Sequence, residues 1–238
     1  MKRFWDEVTL RTEADGYTIL LDGRPMHLPG GHQLRIGPPR LAEAVAEEWR
    51  QAGGQKGGQM SFADTPLSRL AGTARGRIAP NPAPTVDAIA RYGETDLLCY
   101  RAEHPPELAH RQARHWQPWL DWATVTYDAP LRVTTGLAHV KQHHDSVKAL
   151  RRVVAALDIH VLAALGVAVP ALGSLVLGLA LAEQALDAQT AHTLGALDEL
   201  FQIEKWGEDV EATHRLVSLA ADVVLADRFI RLTREGAG

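Results

Sequence analysis

Residues 197–209, LDELFQIEKWGED, crowd five carboxylates (Asp198, Glu199, Glu204, Glu208 and Asp209) around a Trp-Gly pair, with no Ser, Cys or His among them. Acids in that density can serve as a general acid and base, hold a divalent cation, coat a solvated helix or grip a basic partner. Glycosidic chemistry needs two carboxylates at a set separation, and a crowd on one helix singles out no pair. A second cluster, HVKQHHD at 139–145, sets His139 and His143 four residues apart. On a helix they would share a face, as zinc ligands do. Together with the acids of 198–211 they form the case for a metal-dependent hydrolase. Against it, there is no H-E-x-x-H and no evident third ligand, and a polar helix start facing water accounts for the same residues. There is no G-x-S-x-G elbow, GGQKGG at 53–58 lacks the order of a phosphate loop, and no dinucleotide fingerprint is present. Cys99, inside the apolar run DLLCY, reads as a packed small residue.

The bulk numbers narrow the classes further. With 238 residues and 46% apolar content the chain can bury a substantial core. A single cysteine excludes an internal disulfide framework. A net charge of −4 gives no footprint for nucleic acid. The charge is uneven: residues 183–211 hold eight acids and one base, Lys205, a field that attracts a basic surface. The opening MKRFWDEV has no apolar signal core, so an unsecreted protein is expected. The uncharged segment 161–182 is long enough to span a bilayer, but Pro170 sits mid-segment after GVAV, and two buried helices meeting at a turn is the better reading.

These residues must be carried by elements of two kinds. VTLRT, YTILLDG and QLRIG read as strands, separated by turn signals at Asp15-Gly16, Asp22-Gly23 and Gly30-Gly31. From Pro39 the period changes: Leu41, Val45 and Trp49 recur four apart until Gly53-Gly54. A short helix begins at Thr65-Pro66, and further helices are expected over 105–126, 136–165, 171–184, 187–206 and 208–233. The fold class is therefore α+β: a small β-rich part, residues 1–38 with its boundary anywhere from 38 to 85, then a larger multihelical part, 39–238.

On a helical projection Leu194, Leu197 and Phe201 form an inward stripe. Glu199, Gln202 and Trp206 fall on the opposite side, with Ile203 beside them. A carboxylate, an amide and an indole on one rigid face suit recognition of a partner: one charge, one donor and acceptor, one desolvating anchor. The competing reading tucks Trp206 under the last helix and leaves the acids solvated. Elsewhere Trp49 is expected in the core. Trp116, Trp119 and Trp122, three apart, read as a core stripe with a partner face as the alternative. Asp96 and Arg101, flanking an apolar run, are expected to anchor the junction of the two parts.

Seven segments in one order then carry a resemblance: KRFW (2–5), LDGRP (21–25), LAEAVAEEW (41–49), TDLLCYR (95–101), WQPWLDWA (116–123), SLVLGLALAE (174–183) and FQIEKWG (201–207). The chain resembles, from about residue 2 to 215, the ATP synthase assembly factors that chaperone the alpha subunit of the catalytic sector, the ATP-twelve type of mitochondria and alphaproteobacteria. MSFADTPLSRL matches the family only loosely, and the end of the tail RLTREGAG has no counterpart. The resemblance implies a chaperone with no catalytic residue, metal or cofactor, and with the unassembled alpha subunit as partner. It implies no nucleic acid and no membrane span. The site would be in the bacterial cytoplasm, or the mitochondrial matrix for eukaryotic relatives. It also implies that an acid near FQIEKWG matters, best matched by Glu199, with Glu204 and Glu208 beside it.

Overall fold

The computed structural model describes residues 1–28, 31, 33–136 and 138–234. These form an α+β chain of two compact units: residues 1–82 with 158–164 and the segment from Arg228, and residues 83–157 with 165–227.

In the first unit β1 (Val8–Glu13) and β2 (Gly16–Leu21) pair antiparallel, and β3 (Arg24–Pro25) and β4 (Arg35–Ile36) both pair with β2. The LDGRP turn is the two-residue loop Asp22-Gly23, with φ +48° and +75°. Positive φ at both positions is what a tight hairpin between twisted strands requires, and Asp and Gly tolerate it best. The Asp22 carboxylate also accepts the amides of Asp6 and Glu7, each at 2.9 Å, which holds it below the usual carboxylate range. Gly16 meets a different demand, since a Cβ there would lie 2.5 Å from the Ile36 carbonyl oxygen. Of the Gly30-Gly31 turn signal, Gly30 lies outside the described residues.

Helix α1 (Pro39–Gln51) opens on proline and buries Leu41, Val45 and Trp49. Its C-terminus is closed by a residue far away in sequence. The buried Arg3 guanidinium donates to the carbonyls of Arg50 (2.7 Å), Ala52 (3.2 Å) and Gly54 (2.9 Å), groups a helix end leaves without partners. The Trp5 indole donates to the Trp49 carbonyl at 3.1 Å. Helix α2 (Pro66–Thr73) has no cap from its own Thr65; instead Glu48 of α1 accepts the amides of Leu67 (2.7 Å) and Ser68 (3.0 Å). Burial raises the Glu48 carboxyl even so, outweighing those hydrogen bonds. KRFW and LAEAVAEEW are thus two halves of one locked substructure.

The second unit contains α3 (Ala83–Ala90), β5 (Tyr100–Arg101), α4 (Pro106–Tyr127), β6 (Thr134–Thr135) and α5 (His144–Ala155). Helix α6 (Ile159–Leu172) follows, with its residues from Leu165 onward in this unit, then α7 (Leu175–Ala182), α8 (Ala188–Gly195), α9 (Leu197–Trp206) and most of α10 (Val210–Arg234). Three expected boundaries differ. The 136–165 helix begins only at His144 and is interrupted before α6, where Asp158 accepts the His160 amide at 2.8 Å. The 161–182 segment does turn, but not at Pro170, which lies on an exposed face within α6; Gly173, at φ +64°, makes the turn. The 187–206 helix is broken at Ala196, so Leu194 belongs to α8. Among the described residues no helix is long and apolar enough to cross a membrane.

Helix α7 is buried along its whole length, so its N-terminal amides need internal partners. Asp96 supplies one. Its carboxylate accepts the Val176 amide (3.0 Å), the Ser174 hydroxyl (2.8 Å) and the Leu98 amide (3.1 Å), which ties TDLLCYR to SLVLGLALAE. Arg101 lies 5.3 Å from the Trp116 ring centroid and donates to the Gln112 carbonyl. These bonds run within the second unit, so the two residues pin its own elements rather than a junction with the first. Burial pushes the Asp96 carboxyl up to about 6, against the pull of its three donors. A group whose folded pKa is raised stabilises the fold fully only below its unfolded pKa, and loses that contribution as pH rises through the folded value. From 3.8 to about 6 the loss is on the order of 2–3 kcal/mol. We expect the stability of the parent, measured against the non-titrating Asp96→Asn variant, to fall between pH about 4 and about 6 and stay level above. Urea midpoints across that range test it, and parallel curves would contradict the titration. At neutral pH Asp96→Ala and Arg101→Ala should each melt below the parent. The alanine leaves the Val176 and Leu98 amides and the Ser174 hydroxyl without their acceptor, at about 1–3 kcal/mol for each buried group.

Candidate recognition surface

Helix α9 is held against α4 by a polar chain. The Gln112 side chain accepts the Ala102 amide at 2.6 Å and donates to Asp198 at 2.7 Å. The Trp116 indole donates to the Leu194 carbonyl at 2.9 Å. Arg111 grips Glu204 at 2.6 and 3.2 Å and lies 5.0 Å from the Phe201 ring centroid. Leu197 and Phe201 face inward, and α9 ends at Gly207, with φ +91°.

The outward face is split. Glu199 and Gln202 line a cleft of about 470 Å³, together with Asp198, His192, Arg215 and backbone around Gly173. The Glu199 carboxylate lies 3.4 Å from the Arg215 guanidinium, with 34% of its side chain exposed. Burial raises the Asp198 carboxyl and lowers the His192 imidazole. The His192 Nε2 has no hydrogen-bond partner among the described residues. The cleft therefore offers carboxylates, an amide, an imidazole and a guanidinium, all suited to polar recognition. Trp206 does not line it and stands 74% exposed, so it is not tucked under the last helix. Glu204 points to Arg111 on the other side of α9, and Glu208 is exposed in the link to α10.

Sequence reasoning missed an exposed apolar line on α10. Val210, Val217 and Val224 on α10 are 73%, 64% and 54% exposed. Seven residues is nearly two helical turns, so they fall on one line. Their period was visible in the sequence, but it was masked by the buried positions Leu216, Val223, Phe229 and Ile230 on the same helix.

The other candidates separate. His139 and His143 are not on a helix: His139 Nδ1 lies 3.2 Å from the Tyr100 hydroxyl, and His143 Nε2 lies 2.8 Å from Arg132. Among the described residues no three His, Cys, Asp or Glu side chains are placed to hold a metal ion, and the metal-hydrolase alternative gains no support. Cys99 is buried, and burial pushes its thiol up to about 12, so it is no thiolate at neutral pH. Of the tryptophan stripe only Trp116 is fully buried; Trp119 and Trp122 are half-buried and pack edge to face, 6.1 Å apart.

Comparison with known proteins bears on the whole arrangement. The model of the ATP12 chaperone protein family matches residues 2–124. Atp12 from Paracoccus denitrificans is 41% identical over 98% of each chain, with a TM-score of 0.92, and a point mutant of that protein matches equally well. The Atu1473 protein from Agrobacterium tumefaciens is 34% identical over 98% of this chain and 85% of its own, with a TM-score of 0.89. The agreement extends through α9 and α10, beyond the reach of the family model, and the chain belongs to the ATP12 chaperone family.

Proposed function

We propose that this protein binds the newly made alpha subunit of the F-type ATP synthase catalytic sector and shields it until the beta subunit takes its place. Membership of the ATP12 chaperone family supports ATP synthase assembly as the setting. Two observations carry the finer reading: large apolar side chains left exposed at the end of α9 (Trp206) and along α10 (Val210, Val217 and Val224), and an acidic, half-open cleft lined by Glu199 and Gln202. An unassembled subunit exposes apolar surface meant for its neighbour, and such surface aggregates. A cover for it needs apolar contact for affinity and charge for register, without binding so tightly that the true neighbour fails to displace it. On this reading the protein works in the bacterial cytoplasm, and its eukaryotic relatives in the mitochondrial matrix. The test is capture of purified, unassembled alpha subunit on the immobilised protein, with beta subunit as competitor. Alpha should be retained alone and released as beta is added. Absence of capture, or capture indifferent to beta, would overturn the reading.

A further inference from the structure

The first unit carries a second recessed site, remote in sequence from the acidic helices. It is a cavity of about 580 Å³ whose walls include Met26, Leu28, Trp49, Phe62, Gly72 and Gly76. It is open to solvent and lined mostly by apolar side chains with a few polar groups, the make-up of a recess that takes a ligand side chain. Gly72 and Gly76, one turn apart, let the Leu28 side chain pack down onto the helix that forms one wall: a Cβ on Gly72 would lie 2.8 Å from one Leu28 methyl, and one on Gly76 3.5 Å from the other. Phe62, 57% exposed, supplies an apolar edge. Thr65, which lines the cavity, is fully buried, and its hydroxyl has no partner among the described residues.

The charge of the site has one sign. Among the described residues its lining includes Arg69, Arg77 and His27 and no carboxylate. Both arginines are exposed, and neither forms an ion pair among the described residues. Arg69 lies on α2 and Arg77 in the π-helical turn Ala74–Ile78 that follows it, so their backbones stand about 10–12 Å apart along the axis, a little less than an unbroken α-helix would give at about 1.5 Å per residue. One headgroup does not bridge that span. An extended polypeptide advances about 3.3 Å per residue, so carboxylates four residues apart match it, and a side chain midway between them would point the same way. We propose that this cavity takes a bulky apolar side chain from an extended segment of a client polypeptide, with acidic residues two places to either side held by Arg69 and Arg77. The inference rests on reading the protein as a polypeptide-binding chaperone, and it adds a cationic anchor to the acidic one on α9. A client served by both must offer an apolar-acidic segment as well as a basic one.

The probe is a fluorescent, capped peptide with Glu, Phe and Glu at alternate positions and Ala between, titrated by anisotropy into the full-length protein. Controls carry Ala for Phe or Lys for both Glu, and dodecanoate is the competitor. The double variant Arg69→Glu, Arg77→Glu should bind the probe at least fivefold more weakly than the parent while melting with it, because both side chains are exposed. Phe62→Ala should weaken binding about threefold. Equal affinity in parent and double variant would overturn the proposal, as would a Lys peptide that binds as well as the Glu peptide. Dodecanoate binding without peptide binding would overturn it too, by making the cavity a fatty-acid site. Alpha-subunit capture is scored separately, so failure of that reading leaves the peptide result interpretable.

Discussion

Trp49→Arg is expected to remove the protein from the soluble fraction. Trp49 is buried at the end of α1, its ring 5.0 Å from that of Trp5, its indole N–H donating to Ser68 Oγ at 2.8 Å. The Trp5 indole donates in turn to the Trp49 carbonyl, and the Ser68 hydroxyl donates to Glu48, which also holds the first amides of α2. Arginine loses the aromatic packing and brings a cation into that space. Glu48 lies within the same cluster, but its oxygens already accept from Leu67 and Ser68, so pairing with the new cation would unmake the α2 cap. Truncating a buried tryptophan alone costs about 3–5 kcal/mol, and an ill-matched buried charge adds to that. Such a loss takes up much of the 5–15 kcal/mol typical of a folded domain. Expression at reduced temperature with fractionation and thermal melts checks this. Trp49→Phe, which keeps most of the packing and loses the Ser68 bond, should remain soluble with a lower melting temperature. A soluble Trp49→Arg protein that melts with the parent and only fails to bind alpha would move Trp49 from the core to the interface.

The parts of the fold that were legible are those decided by local chemistry. Strands β1 and β2 announce themselves by β-branched runs between Asp-Gly turns. Helix α1 announces itself by Pro39, a four-residue period and Gly53. What was hidden was settled by residues distant in sequence. Nothing near Gln51 says that Arg3 will close the end of α1, and nothing in PLSRL says that Glu48 will cap it from another helix. The break at Ala196 comes straight after Gly195, whose missing side chain lets the Leu172 backbone approach to 3.1 Å of where a Cβ would stand, a contact between segments distant in sequence. Pro170 misled because proline is tolerated where the carbonyl it strands faces water, and the preceding-turn residue Gly166 is exposed like Pro170 itself. Asp158 was a readable N-cap signal that a continuous apolar pattern obscured. The candidate site divides in the same way. The Glu199, Gln202 and Trp206 line was visible from helical geometry, whereas the Arg215 and His192 that face Glu199 and Gln202 across the cleft arrive from other helices.

Glu199→Lys is expected to weaken capture of alpha subunit at least tenfold while leaving the fold intact. The structure gives Glu199 a neighbour, Arg215, and the prediction depends on how tightly that neighbour holds it. The contact is a single one at 3.4 Å, between side chains 34% and 59% exposed, and exposed pairs of that kind contribute about 0–1 kcal/mol. Removing the charge in Glu199→Gln should therefore shift melting by no more than about 2 °C. In the free protein Arg215 occupies the carboxylate only loosely, so a basic group on a partner can compete for it as the cleft is covered and water leaves. Burial strengthens the attraction, and reversing a charge at such a contact costs at least ~1.4 kcal/mol, a factor of ten. Arg215→Ala separates this from a structural role. If Arg215 merely steadies the fold, its loss should lower melting and capture together. If it competes with the partner, its loss should spare melting and tighten capture. The other internal arrangement, in which Glu199 supports the helical unit through Arg215, predicts that Glu199→Gln, Glu199→Lys and Arg215→Ala all melt early and lose binding in proportion. Melting and capture measured on the same three proteins decide the matter, and a stable Glu199→Lys that captures alpha at parental strength would remove α9 from the interface.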